Sequence, residues 1–227
     1  VSGPPLELDP AARAALAKVL ELLAVERASV SSVTDAERAW KVHVDDSLSG
    51  LELEDLRQAR RIADIGSGAG FPGLVLAVAL PDSQLDLVES VGRKCEFIGR
   101  AAAEAGIGNV EVIQARSEEL AAGAGREAYD AVTARAVGRL STLAELASPL
   151  LREGGVLVAW KGRRDPDEEA ELERAEEALA MRSERILAVG PYAGSRNRHL
   201  HLLRKAGATP AGLPRRPGMA KKRPRGS

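Results

Sequence analysis

Short apolar runs alternate with longer stretches of helical period along most of this chain. Arg61-Ile62-Ala63-Asp64-Ile65, Gln84–Glu89, Val110–Ile113, Tyr129–Thr133 and the run that leaves Gly154-Gly155 for Trp160 each read as a strand, and Arg185–Val189 and His199–Leu203 read as two closing strands. Between them, Leu74–Leu80 supplies a buried helical face, and residues 93–105, 140–151 and 166–181 read as further helices, the last with a solvated acidic face. Strands alternating with helices predict an α/β fold: an open, mostly parallel sheet covered on both faces. Ahead of the sheet, Asp9-Pro10 opens a helix with Leu16, Val19, Leu20, Leu23 and Val25 as its apolar stripe. Thr34 and Glu37 have capping-box spacing for a second helix carrying Trp40 and His43, after which Asp46 to Ser49 lead through Gly50 toward the first strand. The predicted organisation is a helical cap at 1–58, a core at 59–205 and a flexible basic tail at 206–227. No internal repeat is visible.

The first strand breaks into Gly66-Ser67-Gly68-Ala69-Gly70-Phe71-Pro72-Gly73, a loop at the carboxyl edge of the sheet. Glycines permit a sharp turn and close approach of a ligand to the backbone, so the loop reads as a nucleotide-cofactor loop. Gly68, Gly70 and Gly73 also satisfy the dinucleotide fingerprint, and the glycines alone do not choose between cofactors. Asp64 bears on that choice. A carboxylate beside a helix N-terminus opposes a pyrophosphate, whereas S-adenosylmethionine carries a cationic sulfonium and an ammonium group. The alternative is a buried Asp64 that hydrogen-bonds the loop backbone. Glu89 ends the second strand 23 residues after Gly66, the position of an acid that accepts from ribose hydroxyls, with a solvated strand end as its alternative.

Composition adds three constraints. A chain of 227 residues and 24.0 kDa has room for one domain with a sizeable core. A single cysteine, Cys95, excludes an internal disulfide framework, fits a reducing compartment and reads as helix packing. No apolar run approaches the roughly 20 residues that span a bilayer, and Glu7 and Asp9 do not suit a signal peptide, so a cytoplasmic protein is expected.

The net charge of −1 hides an asymmetry: residues 205–227 hold seven of the 32 basic residues and no acid, leaving 25 against 33 acids, a charge of −8, before them. Four prolines and four glycines bar that segment from a long helix or strand. A cationic arm on an acidic body suits phosphate-backbone binding, with a solubilising terminus as the alternative.

The ordered set His43-Val44-Asp45-Asp46-Ser47, Asp64–Gly73, Glu89-Ser90-Val91-Gly92-Arg93-Lys94, Ala115-Arg116-Ser117-Glu118-Glu119, Thr133-Ala134-Arg135-Ala136, Ala159-Trp160-Lys161-Gly162 and Pro214-Arg215-Arg216-Pro217-Gly218 resembles the RsmG (GidB) family. These are bacterial methyltransferases that modify a guanine at N7 in 16S ribosomal RNA. The resemblance runs from about residue 15 onward and departs in the cap: Val25-Glu26 and Ser29-Val30-Ser31 stand where the family has Trp-Asn and Asn-Leu-Thr. It implies a class I, Rossmann-like, S-adenosylmethionine-dependent methyltransferase with a seven-stranded, mostly parallel sheet and a helical cap.

Carried over by position, the resemblance implies cofactor contacts at Gly66 and Phe71, at Ser117 and Glu118 beside the adenine, and at Arg135 near the transferred methyl; Gly68 of the loop and Glu89 at the strand end join them from the reading of the residues above. On spacing alone, Ser117 and Glu118 are equally a helix N-cap and a first-turn acid. His43, Arg93, Lys94, Lys161, Arg215, Arg216, Lys221, Lys222 and Arg223 are the candidate RNA contacts. The implied partner is 16S ribosomal RNA or a small-subunit particle, and the implied protein is a monomer without metal or membrane.

Guanine N7 has a free lone pair and no proton to lose, so methyl transfer to it needs no general base. Proximity and in-line orientation carry the rate, and Asp46 or Glu118 is placed to stabilise the cationic product base. Asp46 and Arg135 are thus the candidate catalytic residues. Six aromatic residues in the whole chain are too few for a broad stacking platform, so RNA recognition rests on charge and shape. Two rival classes, a nicotinamide-dependent dehydrogenase and a non-enzymatic RNA-binding factor, leave Asp64 with the arm, and the cofactor loop, unexplained respectively.

Overall fold

Seven strands, β1 (Arg61–Ile65), β2 (Gln84–Glu89), β3 (Val110–Gln114), β4 (Tyr129–Arg135), β5 (Leu151–Lys161), β6 (Met181–Ala188) and β7 (His199–Lys205), form one sheet in a computed structural model that describes residues 8–26 and 36–227. The order is β3-β2-β1-β4-β5-β7-β6. β1 to β5 pair in parallel, and β7 runs antiparallel to both β5 and β6. Four of the five residues of β1 and five of the six of β2 are buried, as expected where helices cover both faces of a parallel sheet. The chain moves from β1 outward to β2 and β3, then returns to β4 on the other side of β1. That reversal opens a crevice at the carboxyl ends of β1 and β4, where ligands bind in such sheets.

The helices are α1 (Pro10–Val25), α2 (Ala36–Ala39), α3 (Asp46–Leu48), α4 (Glu54–Gln58), α5 (Gly73–Ala79), α6 (Gly92–Glu104), α7 (Ser117–Ala121), α8 (Leu140–Ala147), α9 (Pro166–Leu179) and α10 (Met219–Lys222), with a π-helical turn at Trp40–Asp45 and a 3-10 turn at Ser49–Glu52. Asp9 caps α1 by accepting from the Ala12 amide at 2.7 Å, a contact of about 1 kcal/mol. Leu16, Val19, Leu20 and Leu23 then pack into the same core as Leu53, Leu56, Ile62, Leu74 and Phe97. Each such side chain contributes about 1.5–3 kcal/mol of burial, so the cap is continuous with the sheet. A second core on the opposite face joins Ile65, Tyr129, Leu143, Leu157, Leu179 and Leu203 to Leu213.

Four expectations need correction or restriction. Val25 is 75% exposed; two residues past Leu23 the helix has turned about 200°, to the face opposite the stripe. α8 stops at Ala147, because Pro149 has no amide to continue it, and Leu151 already begins β5. The capping box at Thr34, like the divergent run at Ser29 to Ser31, lies outside the described residues.

The fourth concerns residues 206–227, expected to be flexible. They lie packed on the body, with Leu213 4% and Ala220 2% exposed. Thr142 Oγ1 donates to the Ala220 carbonyl at 3.3 Å, and Arg215 forks onto Glu145 through Nε to Oε1 and Nη2 to Oε2. Prolines and glycines keep this segment from regular structure, but its apolar residues and Arg215 find buried partners. No helix among the described residues is long and apolar enough to cross a membrane.

Candidate active site

The glycine loop is held by its own amides. Gly66 and Ser67 donate to the Val88 carbonyl at 2.8 and 3.2 Å, Gly70 and Phe71 to the Ser67 carbonyl at 2.8 and 3.2 Å, and Gly68 to Glu89 Oε2 at 3.0 Å. Gly66 has φ +65, and a Cβ there would stand 2.7 Å from Val137 Cγ2, so the loop passes under the segment after β4 too closely for a side chain. Asp64 is fully buried beneath the loop; its Oδ2 accepts from the Gly73 amide at 3.2 Å and its Oδ1 from Thr133 Oγ1 at 2.8 Å. Burial pushes its pKa up to about 6, with the Thr133 and Gly73 hydrogen bonds opposing the rise. The alternative reading of Asp64 is therefore the one found. Even so, it places a carboxylate against the N-terminal amide of α5, where a pyrophosphate would otherwise sit.

Glu89 is not a solvated strand end. It is 6% exposed, and its two oxygens accept from the Gly68 and Val91 amides at 3.0 and 2.9 Å, with Lys94 Nζ at 3.5 Å. A cleft of about 230 Å³ opens beside it, lined by Gly66, Glu89, Ser117, Glu118, Val137 and Lys221 among others. Ser117 is the first residue of α7 and Arg116 is the N-cap, so of the alternative reading of this pair the N-cap role for Ser117 does not hold, while Glu118 is an acid of the first turn. Glu118 accepts from the Gly218 amide at 2.7 Å through Oε1, which makes the segment around Gly218 a wall of this cleft. Cys95 is buried in α6, donates to the Glu89 carbonyl at 3.2 Å and packs as expected.

A second cleft of about 210 Å³ lies across Arg135, lined by Asp46, Arg135, Trp160, Lys161, Arg198 and His199 among others. Arg135 Nη1 donates to Asp46 Oδ2 at 3.0 Å, to the Val42 carbonyl at 3.2 Å and to Ser47 Oγ at 3.3 Å, while its guanidinium stands 5.8 Å from the Phe71 ring centre. His43 stacks on Phe71, with ring centres 4.5 Å apart. Burial, then the Arg135 charge, lowers the His43 pKa to about 4, so the ring is neutral at pH 7. The π-helical turn sets this up: its wide turn carries Val42 and His43 past Arg135 and ends on Asp46. Trp160 Nε1 fixes the Asp46 backbone by donating to its carbonyl at 2.8 Å.

The structure thus gathers Gly66, Glu89, Ser117 and Glu118 about one cleft and Asp46, Arg135 and Lys161 about the other, with Phe71 and His43 against Arg135. The basic candidates divide. Arg93, Arg216, Lys221, Lys222 and Arg223 are exposed, Lys161 is paired with Glu168 at 2.7 Å, and Arg215 is committed to Glu145. Sequence reasoning missed Arg198, whose Nε lies 3.6 Å from Asp46 Oδ1, and Glu145, a buried acid. Arg198 stands in an irregular loop, where periodicity carries no signal. Glu145 had one: an acid within an apolar helix calls for a cationic partner.

Known proteins resemble this chain in sequence and in fold. The family model described as rRNA small subunit methyltransferase G matches residues 14–200. The ribosomal RNA small subunit methyltransferase G of Rubrobacter xylanophilus is 42% identical over 90% of this chain and 80% of its own. Among solved structures, a predicted O-methyltransferase from Agrobacterium tumefaciens superposes with a TM-score of 0.57 at 25% identity, over 72% of this chain and 80% of that one. A cofactor-bound protein from MTB gives 0.55 at 20% identity, over 87% and 90%.

Proposed function

The chain belongs to the rRNA small subunit methyltransferase G family, and from that premise we propose that it transfers a methyl group from S-adenosylmethionine to N7 of a guanine in small-subunit (16S) ribosomal RNA. The observation that carries the cofactor reading is the Gly68 amide on Glu89 Oε2 at 3.0 Å. In a dinucleotide site the loop amides face a pyrophosphate. Here the amides of Gly66, Ser67, Gly68, Gly70 and Phe71 bond within the protein, and Asp64 takes the Gly73 amide. Such a loop suits a cofactor that has adenosine and a cationic end but no phosphate, and a nicotinamide cofactor does not fit it.

In this reading Glu89 takes the ribose hydroxyls, Ser117 and Glu118 flank the adenine, and Gly66 and Phe71 flank the methionine end. S-adenosylmethionine, when bound, supplies an electrophilic methyl on its sulfonium. The chain's own residues hold and orient. Arg135 lines the second cleft, two residues before Val137 of the first, and is braced by Asp46, Val42 and Ser47; in this reading the cleft lined by Trp160, Lys161, Arg198 and His199 receives the guanine. N7 lies on the Hoogsteen edge, accessible in unpaired RNA. Asp46 is the carboxylate in the lining of that cleft; a guanine held there becomes cationic on methylation, and preorganised opposite charge lowers the barrier. No residue is needed as a general base. The exposed Arg93, Arg216, Lys222 and Arg223 serve as phosphate contacts.

Incubation with methyl-labelled S-adenosylmethionine and small-subunit RNA from cells lacking the modification tests this. Label in that RNA, undiminished by an excess of NAD, is expected. A protein that binds NAD and leaves the RNA unlabelled contradicts the reading.

A further inference from the structure

We infer that the segment 215–221 is a cofactor-binding element, closing the adenine end of the cleft, and that Arg215 and Glu145 are positioning residues that hold it there. The inference rests on the cofactor reading above. Its ground is geometric: Gly218, Ala220 and Lys221 line the same cleft as Glu89, Ser117 and Glu118. Three ties fix the segment around that wall. Glu145, with its side chain 3% exposed, is neutralised by the forked contact from Arg215, a geometry that specifies direction as well as charge. Thr142, itself a lining residue, donates to the Ala220 carbonyl. The Gly218 amide donates to Glu118 Oε1.

That last contact couples segment and ligand. Among the described residues it is the one hydrogen bond of the Glu118 side chain. It fixes one carboxylate oxygen and leaves the other for a donor in the cleft, such as the exocyclic amino group of adenine. Gly218 has φ +80, a backbone state that glycine adopts without a side-chain penalty, and this turn is what aims its amide at α7. A ligand that bridges Glu118 and the segment must stabilise the segment in turn, because coupling between two groups is reciprocal. The basic residues beside it then divide by role: Arg215 serves the cofactor, and Arg216, which is exposed, is left for RNA.

The test uses the full chain, Arg215→Met, Arg216→Met and a deletion of 215–227, with calorimetric binding of S-adenosylmethionine, steady-state kinetics and amide hydrogen exchange. Arg215→Met and the deletion should each weaken cofactor binding at least tenfold and raise the KM for S-adenosylmethionine while the KM for RNA in Arg215→Met stays within twofold. Arg216→Met should leave cofactor affinity unchanged. In the unmutated protein, which tests the inference even if a variant fails to fold, saturating S-adenosylmethionine should slow exchange at Gly218 and its neighbours. Unchanged exchange there, or cofactor affinity within twofold of normal in the deletion, overturns the inference. Glu89→Gln separates the two levels: if it weakens cofactor binding while the deletion does not, only the segment's role falls, and if neither does, the cofactor cleft falls with it.

Discussion

Arg135, the last residue of β4, donates from Nη1 to Asp46 Oδ2 at 3.0 Å, joining the sheet to the cap in the wall of the second cleft. A lysine offers one compact ammonium where the guanidinium reaches Val42, Asp46 and Ser47 and also lies over Phe71. Arg135→Lys should therefore slow single-turnover methyl transfer by roughly ten- to a hundredfold, about 1.4–2.7 kcal/mol on the barrier. A lysine variant with the normal rate would show that Arg135 is packing alone.

Glu89 holds the Gly68 and Val91 amides and, in the proposed reading, receives the ribose. Glu89→Gln turns one acceptor into a donor facing an amide, so cofactor binding should weaken by roughly 1–3 kcal/mol. Calorimetry on the two proteins measures this. Equal affinities would remove Glu89 from the site. Gly66→Arg, suggested by the glycine loop, is a poorer probe, because the side chain would meet Val137 and carry the φ +65 strain before it met any ligand.

Much of this site was legible in the sequence. β1 and β2 are short, apolar and bounded by turns, and the acid closing β2 sits where its geometry requires it. The facing of Asp64 was not legible: in a strand buried on both sides, the alternation that tells one face from the other is absent. Nor were contacts that unite distant segments. Arg215 and Glu145 are 70 residues apart, and a run of prolines, glycines and arginines reads locally as a free arm. In the structure a buried acid, two buried apolar residues and hydrogen bonds from Thr142 and to Glu118 seat it.

Asp64 makes a pH prediction. Its folded pKa, about 6, lies above the ordinary value of 3.8. Between those values the native state binds more protons than the unfolded chain, so this group's contribution falls as pH rises and levels off above about pH 6. Asparagine can accept from Gly73 and donate to Thr133 without titrating. The stability of Asp64→Asn relative to the natural protein should thus rise from about pH 4 to pH 6 and then stay flat. Denaturant unfolding across that range measures it, and a relative stability that falls with pH would mean Asp64 is held ionised.

The exposed cations outside the cofactor cleft should act through phosphates. Replacing Arg216, Lys222 and Arg223 together with serine should lower RNA affinity and flatten its dependence on log salt by about 2, from roughly 0.7 per single-strand phosphate contact. Cofactor affinity should be unaffected. An unchanged slope would exclude these residues from the RNA interface.

The position of the methyl group on the RNA tests the central claim most directly. Small-subunit RNA lacking the modification would be treated with the protein and S-adenosylmethionine, reduced with borohydride and cleaved with aniline, which breaks the chain where a guanine carries a methyl at N7. Cleavage at one guanine, appearing more slowly when Arg135 is replaced by lysine, is the predicted result. Methyl incorporation without such cleavage would put the group on another atom and contradict the account, as would cleavage spread over many guanines.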